Sequence, residues 1–146
     1  MNPIADDPPT FKLTRLVNDE DTALELYGTA ARLFVQQVVV VEDGRCKTES
    51  YIYRLQADPS ARSYLIRWEY RRRPPRADYP YPLAHVHVNG TFPDGDPTGP
   101  VHIATARVPL ELVLRNLITD WNVKSRTDDW EAILDESVQG FDYPSH

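Results

Sequence analysis

From Ala31 onward the chain falls into long runs rich in β-branched and aromatic residues that predict strands, and the third of them alternates cleanly at a period of two, as a strand with one buried face requires. Arg32 to Glu42 opens this region, Asp43-Gly44 marks a hairpin turn, and Lys47 to Gln56 returns. Ala57 to Ser60 supplies the next turn and Ser63 to Arg71 the third strand, with Tyr64, Ile66, Trp68 and Tyr70 on one face and Leu65, Arg67, Glu69 and Arg71 on the other. Four prolines between Arg73 and Pro82 deny donors to a ladder and predict a loop. Ala84 to Val88 is strand again, and Val101 to Thr105 a short last one. The period then changes to that of a helix. Pro109 suits a first helical position, and Leu110, Val113, Leu114, Leu117, Ile118 and Trp121 form one stripe. Asp128 with Glu131 reads as a capping box, Trp130, Ile133, Leu134 and Val138 as a second stripe, and Gly140 as its stop.

Upstream the pattern is weaker. Residues 1–10 hold three prolines and no apolar period, and read as a flexible tail. Phe11, Leu13 and Leu16 suggest a short strand, and Thr22 to Tyr27 a helical turn. The expected fold is α+β: a twisted antiparallel β-meander sheet covered by two C-terminal amphipathic helices, in one domain over residues 11–146. A chain of 146 residues removes roughly 70% of its unfolded surface from water, enough for one core.

Composition narrows the setting. A single cysteine, Cys46, rules out an internal disulfide, and an N-terminal segment of prolines and acids does not read as a signal peptide, so a cytoplasmic location is expected. The longest apolar run, Val38 to Val41, is too short to span a bilayer. Net charge is −6, which disfavours a general nucleic-acid binder, although Arg71, Arg72, Arg73 and Arg76 make one local basic cluster.

Candidate chemistry centres on His85 and His87. On a strand they share a face, with Cα atoms roughly 6.5 to 7 Å apart. If this strand neighbours the third, Arg67, Glu69 and Arg71 join that polar face. Such a set suits metal-free RNA cleavage: one imidazole takes the 2′-hydroxyl proton, the other protonates the leaving oxygen, and arginine stabilises charge on phosphorus. In this leading reading His85 and His87 are catalytic, Arg67, Arg71 and Arg107 bind phosphate, Glu69 and His102 are accessory, and neither metal nor cofactor takes part. Arg107 enters because it precedes the helix N-terminus, whose dipole favours an anion. The bland reading is that the two histidines decorate a solvent-facing strand.

A metal alternative joins His85, His87 and His102 with Asp94 or Asp96. Pro97-Thr98-Gly99-Pro100-Val101-His102 reproduces one cupin motif, but the glutamate and the intervening length of a cupin are lacking. A non-enzymatic alternative makes Tyr51, Tyr53, Tyr79, Tyr81 and the proline-rich loop a protein-binding surface. An open sheet also leaves an edge through which a homodimer can form.

Pro82 to Gly90, followed by Val101 to Glu111 heading a helix, resembles a family of small bacterial proteins, and the layout is similar to the TumE-like toxins of toxin–antitoxin systems. The likeness covers roughly residues 50–123. It implies a toxin that acts on RNA, is neutralised by a cognate antitoxin protein, and uses His85 and His87 as its motif positions.

Overall fold

The computed structural model describes residues 10–13, 15–17, 20–59, 62, 64–97, 99 and 101–139. Four short strands come first: β1 (Thr10–Leu13), β2 (Arg15–Val17), β3 (Glu20–Thr22) and β4 (Leu24–Glu25). Then follow β5 (Arg32–Glu42), β6 (Arg45–Gln56), β7 (Tyr64–Arg71), β8 (Ala84–Val88) and β9 (Val101–Ala104). The chain closes with α1 (Leu110–Thr119) and α2 (Trp130–Gln139).

The expected α+β fold is what forms. Strands β5 to β9 pair consecutively and antiparallel as a meander; β1 and β4 both add to the outer side of β5, and β2 pairs with β3 alone. The hairpin between β5 and β6 turns at Asp43 (φ 53°) and Gly44 (φ 71°), the doubly left-handed geometry whose twist matches that of its strands. Bulges between Val38 and Val39 and between Leu55 and Gln56 add local twist.

The helical turn expected at Thr22 to Tyr27 does not form. Leu24 pairs with Leu33 and Glu25 with Arg32, and Ala23 is buried. A six-residue helix has too few hydrogen bonds to repay its nucleation, whereas the open edge of β5 offers ready partners for an extended chain. Thr10, assigned to the tail, is the first residue of β1 opposite Val38; the rest of the tail lies outside the described residues.

The sheet has two unlike faces. One carries Leu33, Val35, Tyr51, Tyr53, Leu55, Trp68 and Val86, closed by Val113 and Leu117 of α1. Tyr51 and Tyr53 stack with centroids 4.4 Å apart, and Val108 N–H donates to Tyr51 Oη (2.8 Å), tying the sheet to the start of α1. These two tyrosines are therefore core, not part of the protein-binding surface expected of them. Pro109 (φ −70°, ψ 155°) sits just before α1, one place earlier than read from the sequence.

Helix α2 lies against α1. Ser137 Oγ donates to Glu111 Oε1 (2.6 Å), Arg115 pairs with Asp135, and no residue of α2 is buried. The helix begins at Trp130, so Asp129 and not Asp128 flanks it; Gly140 lies outside the described residues. No helix among the described residues is long and apolar enough to cross a membrane.

Because α1 alone closes the core, the two helices should respond differently to truncation. Leu117→Ala is expected to cost about 2–5 kcal/mol of unfolding free energy in a urea titration. Ile133→Ala, half exposed on α2, should stay below about 1 kcal/mol.

Candidate metal centre

The site is built by register. Arg67 pairs with His87 and Glu69 with His85, while His87 also faces His102 on β9 and Arg67 faces Arg54 on β6. Partners in an antiparallel ladder share a face, so all these side chains stand on the side of the sheet opposite α1. The adjacency on which the role of Glu69 depended is thus met.

Their polar ends converge. Glu69 Oε2 lies 2.8 Å from His87 Nε2 and 3.2 Å from His85 Nε2, and the two Nε2 atoms are 2.9 Å apart. His85 and His87 are only 2% and 5% exposed, so they are not solvent-facing decoration. His85 Nδ1 is 2.6 Å from the Pro82 carbonyl. A carbonyl can only accept, so Nδ1 carries a proton, and in the neutral tautomer this requires the ring to aim its Nε2 lone pair into the cluster. Fixing one ring nitrogen by a carbonyl is how metal-binding imidazoles are held. Arg67 spans the group, 3.3 Å from Glu69 Oε2 and 3.1 Å from His87 Nε2.

His102 completes it from β9. The donor atoms of His85, His87 and His102 all lie within 4.8 Å of one another, and the His102 ring stacks on Tyr81 at 4.0 Å and 9°. Asp94 and Asp96 do not join them. They occupy an exposed turn in which Asp96 N–H donates to Asp94 Oδ1.

What can such a cluster do? Bonds of about 2.0–2.1 Å to a tetrahedral ion set the donor atoms roughly 3.3–3.4 Å apart. The Glu69–His85–His87 triangle is a few tenths of an ångström tighter, an expansion that rotation of side chains supplies. Two-sided acid–base chemistry fits less well, because imidazole nitrogens 2.9 Å apart leave no room for a phosphate between them.

The remaining candidates divide. Arg71 is exposed on the same face and, with Gln36, Ser50 and Tyr79, lines a groove of about 240 Å³ that Glu69 and His85 border. Arg107 lies on the other face, 4.8 Å over the Tyr70 ring, and cannot share a ligand with the histidines. Arg54 was missed, although it alternates with the apolar Tyr53 and Leu55 and so had to face the polar side. Tyr81, read as a binding-surface residue, is exposed and also backs His102.

The chain matches no family model, no curated protein and no solved structure in the comparisons made. The class is therefore defined by fold and site alone: an α+β domain whose sheet face opposite α1 holds three histidines and a carboxylate.

Burial, with the Arg67 charge, pushes the His87 imidazole below its usual 6.5. Burial pushes the Glu69 carboxyl up, but Arg67, His87 and His85 together outweigh it and leave it below its usual 4.5. In both cases the unfolded chain takes up a proton more readily than the folded one. The stabilisation is whole above the unfolded pKa and is lost as pH falls, first for His87 below 6.5 and then for Glu69 below 4.5. In protein kept in chelator, the urea midpoint should fall between pH 7.5 and pH 5 by more in the wild type than in His87→Gln.

Proposed function

We propose that this protein cleaves phosphodiester bonds in RNA at a centre where Glu69, His85 and His87 hold a divalent transition-metal ion. The observation that carries the reading is the convergence of Glu69 Oε2, His85 Nε2 and His87 Nε2 within 3.2 Å, with the far nitrogen of His85 tied to Pro82. Two imidazoles and one carboxylate with room for further ligands suit zinc, iron or manganese. Such an ion polarises a phosphoryl oxygen and lowers the pKa of bound water.

The chain's own groups supply the rest. Arg71 offers its guanidinium to a phosphate entering the groove beside Glu69 and His85. Arg67 holds Glu69 in place. His102 lies at the outer side of the cluster, half-buried against Tyr81, where it can pass a proton to the leaving oxygen. The layout of a small toxin fits this chemistry, and in that role the protein would act in the cytoplasm and be held in check by a cognate antitoxin protein.

The test combines metal analysis with an RNA assay. Purified protein is expected to hold about one ion per chain and to cut single-stranded RNA, with activity lost in chelator and restored by zinc or manganese. A folded His85→Ala, His87→Ala variant should lose both metal and cutting, and its induced expression should relieve any growth arrest that the wild type causes. Cleavage that persists unchanged in chelator, from protein without metal, would overturn the metal reading in favour of imidazole chemistry. Metal-loaded protein that leaves RNA intact would overturn the substrate.

A further inference from the structure

The polar face has more cation than the centre uses. Beside the histidines this face presents three guanidinium groups, Arg54 on β6 and Arg67 and Arg71 on β7, with the Glu69 carboxylate between them, on a chain whose net charge is −6. Arg54 stands directly opposite Arg67, a pairing of like charges that destabilises a sheet. Among the described residues it has no carboxylate partner. Its guanidinium lies 4.0 Å over the Phe34 ring, and its buried Nε finds no acceptor. The buried Nε of Arg67 is likewise without one.

These cations are placed on both sides of the centre. Arg67 and Arg71 are four residues apart on β7, about 13 Å at the rise of an extended strand. Glu69 lies midway between them, with Arg54 beside the first and the groove beside the second. Tyr79 lines the groove and meets Tyr81 edge to face at 5.6 Å, giving two aromatic rings next to it.

We infer that Arg54, which stands beside Arg67, and Arg71 in the groove are two phosphate subsites flanking the scissile bond, so that the ligand of this face is an extended single-stranded polynucleotide and not a mononucleotide. The inference rests on the proposed reading for the position of the scissile bond, while its cation-lined track stands on the sheet register alone. A duplex would not expose its bases to Tyr79 and Tyr81, and a track of arginines beside aromatic rings is the way single strands are held without sequence preference.

The experiment measures binding of an end-labelled, cleavage-resistant phosphorothioate oligouridylate by fluorescence polarisation across a salt series, with uridine monophosphate as competitor and metal content determined on the same samples. The wild type should bind the oligomer with a steep salt dependence and resist the monophosphate. Arg54→Met and Arg71→Met should each weaken binding several-fold and reduce the slope of log K against log salt by about 0.7, and the double variant by about twice that. If Arg54→Met does not fold, Arg54→Gln replaces it. Unchanged slopes in folded variants, or displacement by the monophosphate at equal concentration, would overturn the two subsites even if the protein holds its metal. Protein without metal that still shows both arginine effects would support the subsites while removing the centre.

Discussion

Everything on the polar face depends on the ladder that joins β7, β8 and β9. Trp68 opposite Val86 on one side of the sheet, and Glu69 opposite His85 on the other, are the same constraint seen from two faces. Because side chains alternate at a period of two, a slip of one residue would drive His85 and His87 into the core and expose Trp68 and Val86. Burial of each large apolar side chain contributes about 1.5–3 kcal/mol, so the core fixes the register far more firmly than the polar groups do. The position of the cluster is thus set by residues that take no part in it.

That arrangement also explains how the face tolerates its own energetics. Buried imidazoles, a carboxylate and the orphaned Nε atoms of Arg54 and Arg67 are unfavourable inside a fold, at about 1–3 kcal/mol for each unsatisfied group. Pairing Arg54 with Arg67 adds repulsion. The Arg67–Glu69 ion pair and the contacts of Glu69 with His87 and His85 offset part of this, and the Tyr51, Tyr53, Leu55, Leu117 core across the sheet the rest.

How much of this was legible follows from what each signal measures. The run from β5 to β8 shows in the sequence because alternation and the Asp43-Gly44 turn are local, and the ends of β5 and β8 fall where the pattern places them. Register is not local, so the meeting of Glu69 with His85 was conditional until the strands were seen side by side. The N-terminal strands were hidden for the same reason: Leu24 and Glu25 are extended because β5 offers an edge, not because their own propensity demands it. Arg107 misled because its place before a helix was visible, while the face of the sheet it would join was not. Tyr51 and Tyr53 misled because tyrosine suits a surface and a core equally, and only the stack between them decides.

The proline-rich segment between β7 and β8 shows best how a sequence signal can be right about structure and silent about chemistry. Its prolines keep it out of the ladder, as the missing donors require, and on that ground it is only a connection. Yet a proline that cannot donate still accepts, and the Pro82 carbonyl accepts a hydrogen bond from His85 Nδ1–H. The same segment brings Tyr81 onto His102 and Tyr79 into the groove beside Glu69. The Nδ1 edge of the His85 ring is thereby tied to a backbone acceptor, which leaves Nε2 facing Glu69 and His87. The loop does for the outer side of the cluster what the core does for the inner side: it holds His85 and His102 where the ladder has placed them.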